Sequence, residues 1–77
     1  MASKYPLLKS SEVASALRKL GFSFKSQRGS HAKYVKAANG GRKRTVIVPM
    51  HDEVAKGTLQ RIMEQAGITL DELVSAL

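Results

Sequence analysis

The sequence predicts a small α+β domain: a three-stranded antiparallel sheet with helices packed on one face, in the order α-β-β-β-α-α. Three observations predict it. Apolar residues recur at helical spacing in three separate stretches, and the chain between the first two switches to strand-like alternation. An Asn39-Gly40 pair precedes a β-branched run, Thr45-Val46-Ile47-Val48, the mark of a hairpin. The third is length. A chain of 77 residues makes one domain that buries only roughly 60% of its unfolded surface. It cannot cover both faces of a sheet, so one face should stay wet.

In chain order, residues 1–9 read as a loosely held lead-in to a single domain spanning 1–77, because Pro6 discourages an early helix. The first helix should start at Ser10 or Ser11 as cap, with Glu12 in its first turn. Val13, Ala16, Leu17 and Leu20 form its apolar stripe, and Gly21 suits the position just past its end. Phe22 and Phe24 then alternate with Ser23 and Lys25 as a half-buried strand. Gln27-Arg28-Gly29 reads as a turn and Ser30 to Lys36 as the second strand. Asn39-Gly40 reads as a two-residue turn, and the third strand closes at Pro49.

A second helix runs from Thr58, as cap, to Ala66, with Gly67 as terminator. Leu59, Ile62, Met63 and Ala66 are its stripe. Thr69-Leu70-Asp71-Glu72 fits a capping box, and Leu70, Leu73, Val74 and Leu77 repeat the pattern. Met63 and the leucines are therefore read as core. The whole is a two-layer domain of the double-stranded-RNA-binding type.

Composition narrows the function. There are 13 Lys+Arg against 6 Asp+Glu, for a formal charge of +7, which favours a polyanionic partner. Residues 1–44 hold eleven bases and one acid, Glu12, whereas 45–77 hold two bases and five acids. That asymmetry predicts a one-sided field. The absence of cysteine excludes disulfides, thiolate zinc sites and cysteine nucleophiles. No apolar run suits a signal peptide or a membrane span, so a cytoplasmic protein without membrane attachment is expected.

Two histidines, His31 and His51, show no helical i, i+4 pairing for a metal, and no G-x-S-x-G elbow occurs. No metal and no small-molecule cofactor are expected. RNA cleavage makes lighter demands, because RNA brings its own nucleophile, the 2′-hydroxyl. The protein then needs an imidazole to move protons and cations or N–H groups to stabilise the phosphorane. The segment from Lys25 through Arg28, Gly29, Ser30, His31 and Lys33 to Lys36 carries four bases and no acid. Gly29 allows close approach of a phosphate and Ser30 can donate to one. Lys25, Arg28, Lys33, Lys36 and the run Arg42-Lys43-Arg44 are read as phosphate-binding. Counting outward from a two-residue turn pairs Ala38 with Gly41 and His31 with Val48. That puts His31, Lys33 and Val35 on one face with Arg44, Val46 and Val48, and His51 near the His31 end. Neither face so defined is cleanly apolar.

The chain resembles the HicA family of toxin–antitoxin systems. The resemblance lies in the helix ending Leu20-Gly21-Phe22, Gly29-Ser30-His31 followed by Tyr34, Val48-Pro49-Met50-His51, and Gly57-Thr58-Leu59 through Ile62 to Gln65-Ala66-Gly67-Ile68. These stand in the family's order over about residues 10 to 75. The resemblance implies a metal-independent mRNA endonuclease with His31 as its key histidine, His51 at a recurrent position of auxiliary standing, and a HicB-type antitoxin as partner. A chain ending in a third helix departs from the shortest members. The alternative reading is a non-catalytic RNA- or DNA-binding module using the same basic surface.

Overall fold

The computed structural model describes residues 5–37 and 39–77. Expectations placed on residues 1–4 and on Ala38 lie outside the described residues. The elements are α1 (Ser10–Lys19), β1 (Ser23–Arg28), β2 (His31–Ala37), a 3-10 turn (Asn39–Gly41), β3 (Lys43–Pro49), α2 (Lys56–Ala66) and α3 (Leu70–Ser75). The sheet is antiparallel in the order β1-β2-β3. This is the α-β-β-β-α-α arrangement that the sequence predicts.

Burial follows the sheet's two faces. Ala32 and Tyr34 of β2, with Val46 and Val48 of β3, are buried beneath the helices. Their sheet neighbours on the other face, His31, Lys33 and Thr45, are exposed, and Val35, Ile47 and Pro49 are half-buried. From the helices, Val13, Ala16, Leu17, Leu59, Ile62 and Leu73 close the core. Each fully buried Leu or Val side chain contributes about 1.5–3 kcal/mol.

The β2–β3 register differs from the count made on a two-residue turn. Ala37 pairs with Lys43, Tyr34 with Val46 and His31 with Pro49. The turn is longer because Gly40 and Gly41 both take positive φ, 81° and 80°, so it extends through Gly41. One residue of slip reverses every side-chain assignment. His31, Lys33 and Val35 therefore share their face with Thr45, Ile47 and Pro49, not with Arg44, Val46 and Val48. The ambiguity in the faces disappears with the corrected register.

The first hairpin turn also moves. Arg28 pairs with His31, so the turn residues are Gly29-Ser30 and not Gln27-Arg28-Gly29. Gly29 has φ 60° and Ser30 does not have positive φ, the pattern of a type II′ hairpin turn. The Gln27 amide donates to the Gly29 carbonyl at 3.0 Å. Met50 N–H donates to the Ser30 carbonyl, tying this turn to the exit of β3.

Neither serine caps α1. Lys9 occupies the N-cap and its N–H donates to the Glu12 carboxylate at 2.8 Å. Ser10 is buried, and its hydroxyl donates to the His51 carbonyl at 2.6 Å. That oxygen is spent on a distant segment instead of the helix end. Leu8, within the lead-in, is also buried, and its carbonyl accepts from Val54 N–H at 2.8 Å.

Helix α2 begins two residues before Thr58, with Ala55 as N-cap and no side-chain cap. The buried, bridged Val54 sets its entry, so tertiary anchoring overrides the capping signal. The Thr69–Glu72 capping box forms, with Glu72 N–H donating to Thr69 Oγ1 at 3.1 Å and Thr69 N–H to the Glu72 carboxylate at 2.7 Å. Only Leu73 and Ala76 of this last segment are buried. Val74 and Leu77 are 47% and 45% exposed, so α3 buries one narrow line against α1 and not the predicted stripe.

Both longer helices end on cations from the sheet. Lys36 Nζ donates to the Leu20 carbonyl at 2.8 Å, and Arg44 to the Gln65 carbonyl at 3.4 Å. Gly67, with φ 70°, ends α2, and a Cβ there would meet the Arg44 guanidinium carbon at 2.5 Å. Gly67→Ala is expected to cost about 1–2 kcal/mol through the left-handed backbone, with Arg44 swinging aside. A thermal melt indistinguishable from the parent would refute this.

Candidate functional site

The wet face of the sheet is where the predicted site residues converge, and a bulge in β1 is what assembles them. Phe24 pairs with Tyr34, but Ser26 pairs with Lys33, leaving Lys25 as the extra residue. A bulge of one residue switches side-chain parity. Phe24 thus lies on the helix side with Tyr34, whereas Ser26 and Arg28 turn to the wet face with Lys33 and His31. Without the extra residue, Arg28 would point to the side opposite His31.

Ser26, Gln27, Arg28, His31, Lys33 and Ile47 line an open depression of about 480 Å³. His31 is exposed at the first position of β2, between Arg28 of β1 and Pro49 of β3. Pro49 fits there. Ile47 N–H is taken by the Gln65 side chain at 2.9 Å rather than by β2, so two residues on, the proline nitrogen also faces away from the ladder. Gly29 and Ser30 form the turn immediately before His31, both exposed. Their backbone is held by Gln27 on one side and Met50 on the other.

The remaining predicted cations do not all join this cluster. Lys25 sits exposed in the bulge. Lys43 is on the wet face but pairs with Ala37 at its far end, about 20 Å along β2 from His31. Arg42 is exposed in the turn beyond. Lys36 and Arg44 pair with each other on the helix side and serve the helix ends described above. His51 is exposed two residues past Pro49, His31's partner, and its carbonyl receives Ser10. Ser26, Gln27 and Ile47 are lining residues that the sequence does not mark; only the bulge and the register reveal them.

No Asp or Glu occurs between residues 13 and 51, so the whole sheet is free of acids. The cations at its wet face therefore meet no internal counter-charge from the strands. Among the described residues, no group of three His, Asp or Glu is placed to hold a metal ion, and no helix is long and apolar enough to cross a membrane.

A family model described as "HicA toxin of bacterial toxin-antitoxin" matches residues 10–68. The chain belongs to the HicA toxin family. The matched stretch covers α1, the entire sheet and α2, and contains His31, His51 and every predicted cation of the site. Helix α3 lies beyond it. A search of curated proteins finds no match. As a HicA family member the chain is the toxin half of a toxin–antitoxin pair, and that membership implies an antitoxin partner.

Proposed function

We propose that this HicA toxin is a metal-independent endoribonuclease that cleaves mRNA, with His31 as general acid/base, and that a HicB-type antitoxin inhibits it. The observation that carries the proposal is an exposed histidine beside Arg28 and Lys33 on an acid-free sheet face. An imidazole in the open contributes little to folding, whereas its surroundings suit a scissile phosphate.

In this reading the RNA backbone crosses the wet face with one phosphate at the Gly29-Ser30 turn. His31 takes the proton from the adjacent 2′-hydroxyl, the 2′-oxygen–phosphorus bond forms, and the bond from phosphorus to the 5′-oxygen breaks. A proton returns to the departing 5′-oxygen, from the imidazolium or from water, leaving a 2′,3′-cyclic phosphate and a 5′-hydroxyl. Arg28, Lys33 and the turn N–H groups offset the charge that grows on the phosphorane. Lys25, Arg42 and Lys43 hold flanking phosphates. An antitoxin surface of opposite charge would cover the same face.

The test is an RNA oligonucleotide against the same oligonucleotide with 2′-deoxyribose at the cleaved position, with EDTA present. Only the all-ribose strand should be cut; cleavage of both, or of neither, rejects the mechanism. RNA bound but left intact would favour a plain binding module. The two groups of cations should also separate. The pair Arg28→Ala and Lys33→Ala is expected to lower the salt dependence of RNA binding by about one unit of slope per charge. The pair Lys36→Ala and Arg44→Ala should leave RNA binding alone and lower the melting temperature, since a cation at a helix C-terminus contributes about 0.3–1 kcal/mol. An equal loss of RNA binding by both pairs would contradict this division.

A further inference from the structure

Phe24 is 50% exposed on the outermost strand of the sheet, in a protein that buries its only other phenylalanine, Phe22. Its ring stands edge-to-face on Tyr34, with centroids 5.7 Å apart and planes at 76°. Arg18, from the last turn of α1, sits over the same Tyr34 ring at 5.9 Å. Tyr34 is 2% exposed, so it anchors both neighbours from below. The result is a propped, half-exposed aromatic ring on the helix side of an outer strand, with an arginine on the same tyrosine and Lys25 as the next residue. Because the bulge takes up one residue, it stands about 10 Å along the sheet from Arg28, and Arg28 is His31's cross-strand partner.

We propose that Phe24 is a stacking platform for one unpaired base of the RNA, a few nucleotides from the phosphate held at His31. The inference rests on the reading of the wet face as an RNA path and deepens it, because it assigns the substrate as single-stranded. Phe24 stands on the helix side, so a polyanionic strand reaches it from Arg28 by passing over the outer edge of β1 at the Lys25 bulge, with Arg18 as a further cation on that side. A propped ring loses little freedom when a base packs on it, and every base has a face to offer, so this contact tolerates sequence. A duplex keeps its bases stacked inward and has nothing to place there.

The test uses the intact chain carrying His31→Ala, so that binding is read without cleavage. Its ligands are a single-stranded RNA of a dozen nucleotides, versions abasic at each position in turn, and a blunt RNA duplex. Phe24→Ala should weaken single-strand binding about 5- to 150-fold, Phe24→Trp should restore it, and Phe24→Leu should not. One abasic position should weaken the parent and leave Phe24→Ala unaffected. Phe24→Leu keeps an apolar side chain against Tyr34 and so separates stacking from folding. Equal binding by Trp and Leu variants, equal loss on the duplex, or an abasic series without a sensitive position each overturns the proposal. So does a Phe24→Ala variant that loses only antitoxin binding. A sensitive abasic position in a protein that never cuts RNA would support the platform and reject the nuclease.

Discussion

Replacing His31 by alanine is expected to lower RNA cleavage by about 10²- to 10⁴-fold and to leave thermal unfolding nearly unchanged. The two halves of that expectation have different origins. The loss of rate follows from removing the imidazole proposed to move protons between the 2′-hydroxyl and the departing 5′-oxygen. The unchanged stability follows from position, because His31 is exposed at a strand end, and surface replacements away from special contacts usually stay within about 0.5 kcal/mol. Cleavage rates on one RNA, wild type against variant, with EDTA present and matched melting curves, measure both. A folded variant that cuts as fast as the parent would end the case for His31.

Leu17→Ala is expected to cost about 2–5 kcal/mol, measured by urea denaturation. Leu17 is completely buried toward the C-terminal end of α1, where the sheet and the other helices leave little room to collapse onto a cavity. A domain of this length has about 4–12 kcal/mol in total, so the variant should lose about a sixth of its stability at the least. Each lost kcal/mol lowers the melting temperature of such a domain by about 4–8 °C. A cost below about 1 kcal/mol would mean that the helix layer is not clamped as described. RNA binding by the surviving folded fraction should be unaffected, since no core leucine reaches the wet face.

What could be read ahead of the structure divides along physical lines. The helical stripes of α1 and α2 were readable because burial repeats at a fixed period, and Val13, Leu17, Leu59 and Ile62 are buried as that period requires. The capping box at Thr69 was readable because its partners are three residues apart. Ser10 and Thr58 misled for the opposite reason. Their expected roles were local, but the bonds between Ser10 and His51 and between Leu8 and Val54 reach across more than 40 residues. Strand parity was the hardest to read. A turn one residue longer exchanged the faces of β3, and an unmarked bulge exchanged the faces within β1. So the sequence offered His31, Arg28 and Lys33, which share the wet face, and with equal weight Lys36 and Arg44, which the pleat carries to the other side.

The bulge at Lys25 bears on self-association as well. β1 is an outer strand, and a row of unpaired backbone groups invites a second copy to continue the sheet. Here that row is interrupted by the extra residue, which twists it away from a flat template. Two copies meeting edge to edge in antiparallel fashion would also bring Lys25 and Arg28 of each against those of the other, with no acid in either strand to relieve them. The irregularity that turns Arg28 toward His31 therefore also makes this edge a poor template for the strand of a second copy.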